Sequence, residues 1–361
     1  MKRLSVALAL GGLALGTILI GWFGFGRVFD EVLSIGWGGF WLLVACQMLI
    51  FLALGLAWDT IAPDLGSASR SQIRRPWVFL WGRMVRDSAA NCLPLTQMGG
   101  FVLGARAVTL HGIGWPLATA STIVDVTAET LAQVAFVAMA LFILLAHEPE
   151  SSLAPPLSAG LGLSVAAMAA FIWLQQGAGV IFTKLSRRIA GHWLLDAESR
   201  LTQLQHEFHT IYSRPGRLAL GSALHLLGWL LTGLSSWITY QLLGIDIEPL
   251  DALAIEGLLS VVLAIAVLVP AYAGVQEAAY AGLGAIFGVP PEISLSVSLL
   301  RRGRDLAVGI PILLIWQMIE ARRLRAHTRP EPLRGAQAGL RPSRPTESIG
   351  PPHHQPGPPR Q

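Results

Sequence analysis

Residues 77–108, WVFLWGRMVRDSAANCLPLTQMGGFVLGARAV, decide the fold. Their apolar stretches are interrupted by Asn91, Pro94 and the pair Gly99 and Gly100, and they are flanked by Arg83, Arg86 and Arg106, so no single uninterrupted span fits. A broken backbone at membrane depth leaves amide groups unpaired, and it is tolerated only where protein or a water-filled cavity covers it. The stretch is therefore expected to form a re-entrant pair of half-helices, entered and left on the same side.

The rest of the chain makes a membrane the right setting. Of 361 residues 53% are hydrophobic and only 13% are charged, against about a quarter charged in soluble domains. The mean hydropathy is +0.56. A soluble enzyme and a nucleic-acid reader are both excluded as whole-chain descriptions. Runs of about 20 apolar residues, the length that crosses roughly 30 Å of hydrocarbon, are read at Leu4–Phe23, Trp37–Trp58, Leu117–Ala146, Leu157–Trp173, Leu218–Leu243 and Ile293–Gln317.

A second interrupted segment repeats the first. Leu250 to Val269 is apolar, Pro270, Gly274 and Glu277 intervene, and Ala278 to Val289 is apolar again. Two spans, a broken hairpin and a third span thus occur twice, and an odd number of crossings inverts the second copy, a plan common among transporters. The expectation is an all-α polytopic membrane protein with six full spans and two re-entrant hairpins in an inverted repeat. Eight helices, two of them kinked at Pro94 and Pro270, are the alternative. Residues 1–146 form the first repeat and 147–320 the second. Residues 321–361, rich in proline and arginine, are expected to form a disordered basic tail.

Only Lys2 and Lys184 among the 26 basic residues are lysines. Arginine binds phosphate or carboxylate through two parallel hydrogen bonds, although a GC-rich genome gives the same bias. Basic loops at 70–86 and 184–217 and acidic loops near 148 and 246 place both termini in the cytoplasm of a bacterial inner-membrane protein. Within the second basic loop, Leu201, Leu204, Phe208 and Ile211 recur at helical spacing, so an amphipathic interfacial helix is expected near 190–213. Its HEFH sequence, 206–209, is one residue short of zincin spacing. Cys46 and Cys92 have no paired spacing, and neither a metal nor a cofactor is expected.

The stretches NCLPLTQMGGFVLGARAVTLHG (91–112), STIVDVTAE (121–129), VPAYAGVQEAAYAGLG (269–284) and LLRRGRD (299–305) together resemble the flippase-like membrane domain of the lysylphosphatidylglycerol synthases. The closer likeness is to stand-alone relatives associated with hopanoid biosynthesis. It runs from about Leu4 to Gln317. The resemblance puts Asn91, Pro94, Gly99, Gly100, Arg106, Pro270, Gly274, Glu277 and Arg301 at the family's motif positions. Many relatives carry an acidic residue directly after the glycine pair, where this chain has Phe101. No aminoacyl-transferring domain follows, so lysyl-lipid synthesis is not expected. The implied function is translocation or trafficking of an amphipathic lipid, a hopanoid or an anionic phospholipid, with lipid-synthesis or transport proteins as partners and no nucleic acid.

Charges inside spans carry the site. Asp125 and Glu129 lie on one helical face at i, i+4, and a charge at the midplane costs about 2.5 to 3.5 kcal/mol on insertion scales. A bridge to Arg106 and a proton-coupling or headgroup site are the two readings. Glu277 is the matching carboxylate of the second repeat, or a cap on the returning half-helix. Arg83 and Arg86 read as topogenic charges. Arg301, Arg302, Arg304 and Asp305 read as headgroup contacts or a charged collar at a helix end. The candidate binding residues are Asn91, Arg106, Asp125, Glu129, Glu277 and Arg301, and the two hairpins are expected to meet near the midplane and bring Arg106, Asp125, Glu129 and Glu277 together. Alternatives are an enzyme that modifies a lipid headgroup with Asp125, Glu129 or Glu277 as base, and a non-catalytic scaffold for lipid synthesis.

Overall fold

The computed structural model describes residues 25–63, 75–93, 96–147, 195–266 and 274–327, with Tyr272 and short helical pieces between 155 and 170. The predicted first span, parts of the return span at 157–173, and Pro94 and Pro270 lie outside the described residues. Every regular element among those described is a helix: α1 (Phe25–Ile61), α2 (Arg75–Cys92), α3 (Thr96–Thr109), α4 (Trp115–His147), α5 (Leu195–Tyr212), α6 (Pro215–Leu242), α7 (Pro249–Ile265), α8 (Val275–Ile286) and α9 (Pro291–His327). Three stretches, 33–61, 115–147 and 215–242, are long and apolar enough to cross a membrane. Large apolar side chains such as Trp41, Leu49, Phe142 and Leu220 remain exposed along them, as expected where lipid is the solvent. The chain is an all-α polytopic membrane protein.

Met1–Met318 forms one packed unit and Ile319–Gln361 a second, described only for its helical residues 319–327. Helix α9 thus runs past 321, the expected start of the tail.

The glycines reveal helix directions. A Cβ on Gly100 would stand 2.6 Å from the Arg86 carbonyl oxygen, and one on Gly104 would stand 2.8 Å from Arg86 Cβ and 3.1 Å from the Gly82 carbonyl oxygen. Lower numbers on α3 meet higher numbers on α2, so the two helices are antiparallel and in near-contact at the backbone. They form the first broken hairpin, with its break at 93–95. The open end of this hairpin packs beside the start of α4, where Val78, Val108, Ile113 and Ala118 share one apolar cluster.

The second hairpin is α7 and α8. Its break runs from Ala266, past Tyr272, a non-glycine residue in the left-handed region at φ 53°, to Gly274 at φ 76°. Gly257 packs on Ala140 and Phe136, and Gln133 donates to the Ser260 carbonyl, so α7 is antiparallel to α4. Phe287, just after α8, lies against His147 with ring centroids 4.9 Å apart. The second hairpin therefore opens at the end of α4, whereas the first opens at its start. The two hairpins point in opposite directions, as an inverted arrangement requires.

Helix α5 matches the amphipathic helix expected near 190–213. Its apolar residues Leu204, Phe208, Ile211 and Tyr212 pack against Ile61, Ala120, Val124, Ala128 and Leu218. Protein takes up the face that was expected to meet a lipid interface: α4 presents the small residues Ala120, Val124 and Ala128 there, with Ile61 of α1 and Leu218 of α6 beside them.

Candidate functional site

Helices α2, α4 and α6 converge on a buried ion cluster. Asp125 lies ten residues into α4 and His225 ten residues into α6, about 15 Å along each axis. Arg86 Nη1 donates to Asp125 Oδ2 at 2.7 Å and Nη2 to Glu129 Oε2 at 2.6 Å. Arg83 grips Glu129 with both terminal nitrogens, at 2.6 and 3.0 Å, reaches Asp125 at 3.4 Å, and donates from Nε to Asp87 at 2.8 Å. The other Asp125 oxygen meets His225 Nε2 at 2.9 Å. Asp125 and His225 are fully buried and Arg83 is 3% exposed. Such burial is tolerated because each charge has several partners.

This geometry corrects two expectations. Arg83 and Arg86 are not topogenic surface charges. The i, i+3 spacing turns both into the bundle, onto a carboxylate pair with almost the same period. The guanidinium groups on Asp125 and Glu129 belong to these two residues, where Arg106 was expected; Arg106 is half-buried in the last turn of α3. Phe101 stands where many relatives carry an acid, and its ring lies 4.5 Å from Arg86 Cζ. The aromatic face supplies the electron-rich contact that a carboxylate would give.

A second ion network occupies α7, α8 and α9. Arg301 Nη1 donates to Glu256 Oε2 at 2.6 Å and to the Tyr280 hydroxyl at 3.0 Å, and that hydroxyl donates in turn to Glu256. Arg302 Nη2 donates to Glu277 Oε1 at 2.6 Å. Arg304 holds Asp305 at 2.9 Å and reaches Ser235 on α6. Arg302 and Arg304 are each 7% exposed. They lie well inside α9, so these arginines are not a collar at a helix end. Glu277 sits in the first turn of α8, with the Arg302 guanidinium as its direct partner. The carboxylates expected in one cluster fall in two networks: Asp125 and Glu129 in the first, Glu277 in the second.

The hairpin tips meet between them. Asn91, the last residue but one of α2, lines a small cleft together with Tyr272, Gln276, Arg302, Asp305 and Leu306. The Cys92 thiol lies 3.5 Å from the Asp305 carbonyl oxygen. Gly309 lets α9 approach this tip, since a Cβ there would stand 2.4 Å from Cys92 Sγ. Gln276 donates to Ser298 at 2.9 Å, fastening α8 to α9. Gly99 is half-buried and Gly100 is buried on the α2 contact.

The sequence reading did not single out His225, Glu256, Asp87 or Tyr280. A signal was present for His225, an imidazole in the middle of an apolar run, where an ionisable group needs a partner.

The sequence pattern of the family described as Lysylphosphatidylglycerol synthase TM region matches residues 8–312. No curated protein and no solved structure matches the chain. The matched range takes in both hairpins and both ion networks and covers most of the molecule. The chain therefore belongs to the lysylphosphatidylglycerol synthase transmembrane-region family, as a multi-pass membrane protein linked to lipid metabolism.

Proposed function

We propose that this protein carries an amphipathic lipid between membrane leaflets, a hopanoid being the substrate that the resemblance singles out. The observation that carries the reading is the meeting of two oppositely directed hairpin tips around a polar cleft. Discontinuous helices that meet between inverted units are the usual setting for a transporter's substrate site. In this reading Asn91, with Arg302 held by Glu277, receives the headgroup at the cleft. Arg301 braces the second hairpin through Glu256. Asp125 and Glu129 fasten the first hairpin to α4, and Arg106 meets headgroups at that hairpin's open end. The acyl or ring portion stays in lipid along the exposed apolar faces. The basic loops favour a bacterial inner membrane with both termini cytoplasmic. The carboxylates that a headgroup-modifying enzyme would use as bases are engaged by guanidinium groups, which favours transport over catalysis.

Lipid analysis of separated inner and outer membranes from a deletion strain tests the proposal. A lipid made in normal amount but found in the wrong membrane or leaflet supports transport. A missing lipid supports synthesis and overturns the reading. A scaffold for lipid-synthesis proteins would instead keep full biological activity in a Glu277→Gln variant.

A further inference from the structure

We propose that the cleft selects a neutral, hydroxyl-bearing headgroup over an anionic phosphate-ended or a cationic aminoacylated one. The inference rests on the translocation reading above for its consequence in the membrane, but its content is a statement about binding.

Charge is the first argument. The two charged residues that line the cleft are already neutralised: Arg302 by Glu277 at 2.6 Å and Asp305 by Arg304 at 2.9 Å. The adjacent pair, Arg301 with Glu256 at 2.6 Å, is matched as well. Three guanidinium groups face three carboxylates. An arriving phosphate would find no uncompensated cation among them, and an ammonium no uncompensated anion. Either would bring a net charge into a low-dielectric surrounding, which is costly without a partner.

Size is the second. The cleft holds about 20 Å³, and roughly 10–15 Å³ admits one water, so a hydroxyl group fits against its lining.

Hydrogen-bond chemistry is the third. Asn91 and Gln276 are amides, able both to donate and to accept. A hydroxyl also does both, whereas a phosphate oxygen mainly accepts and an ammonium only donates. A polyol can therefore present one hydroxyl after another to the same amide pair. Two kinds of lipid share this chemistry, a polyhydroxylated hopanoid and a glycosyl diacylglycerol.

The test offers the purified full-length chain, in detergent, an equal mixture of both neutral lipids, phosphatidylglycerol and lysyl-phosphatidylglycerol, with retained lipid read by native mass spectrometry. The same four lipids are then followed across reconstituted vesicles. At least one neutral lipid should be retained about tenfold or more over phosphatidylglycerol. Retention of the hopanoid alone assigns a share of the recognition to the ring skeleton; retention of both assigns it to the hydroxyls. Two substitutions then move the balance in opposite directions. Glu277→Gln leaves one uncompensated guanidinium and should shift the ratio towards phosphatidylglycerol. Asn91→Asp, nearly isosteric and on an exposed side chain, should shift it further away. Phosphatidylglycerol retained as well as the neutral lipids, or ratios unmoved in both variants, overturns the proposal. Selective retention without movement keeps this inference and refutes translocation, while unselective movement does the reverse. A protein that neither retains nor moves the neutral lipids overturns both.

Discussion

Asp125 on α4 and His225 on α6 meet at 2.9 Å, each ten residues from the start of its helix and each fully buried. Further along, Phe136 stacks on Trp229, so the two neighbouring helices run in the same direction, and a third, α2, brings Arg83 and Arg86 to the level of Asp125.

The first prediction concerns this cluster. Arg86→Ala strips a guanidinium from two carboxylates, and an uncompensated buried charge costs about 3 to 5 kcal/mol. The double variant Arg86→Ala, Asp125→Ala removes a charge of each sign and should recover part of that loss. Thermal unfolding of both proteins in detergent checks the order, and a double variant less stable than the single would refute it.

Backbone contact between α2 and α3 gives the second. Gly100→Ala places a methyl 2.6 Å from the Arg86 carbonyl, which backbone cannot easily yield, and overpacking of this kind costs about 1–3 kcal/mol. Gly38→Ala, on the exposed side of α1 with nothing within 4 Å, should be neutral or slightly stabilising. Equal melting temperatures for the two variants would argue against the tight hairpin.

The hydroxyl of Tyr280 joins Glu256 and Arg301, but the two ions also touch directly at 2.6 Å. Tyr280→Phe should thus cost only about 0.5–1.5 kcal/mol. Glu256→Ala leaves the Arg301 charge unmatched and should cost clearly more. The gap between the two is measurable by the same unfolding assay.

Sidedness supplies the fourth. Thr202 on α5 and Asp246 between α6 and α7 are both exposed, and α6 separates them. Single cysteines at these positions, in a background free of Cys46 and Cys92, should react with impermeant reagents from opposite sides, Thr202→Cys from the cytoplasm. Labelling of both from one side would break the arrangement.

The hairpins were legible in part: Gly274, at φ 76°, stands at the start of α8, but Gly99 and Gly100 lie inside α3, where Gly100 lets that helix close on α2 and does not break it. The ion pairings were not legible. A sequence gives the period of Arg83 and Arg86 but not their depth, so they read as loop charges. Their partners lie 39 to 46 residues away, and only the antiparallel return of α3 sets α2 against α4. Glu256 was hidden in the apolar run 250–269, since two acids, Asp251 and Glu256, scarcely lower an average that eighteen neighbours raise. The neutral balance of the second network depends on three pairings across α7, α8 and α9, which no linear pattern displays.

The glycine seam between α2 and α3 also has a mechanical meaning. With Gly82, Gly100 and Gly104 interlocked at backbone distance, the two helices cannot slide past one another without a clash, so the hairpin is one stiff body. Arg83 and Arg86 together pin that body to Asp125 and Glu129 at two points three residues apart. Whatever displaces one of its helices must therefore displace both.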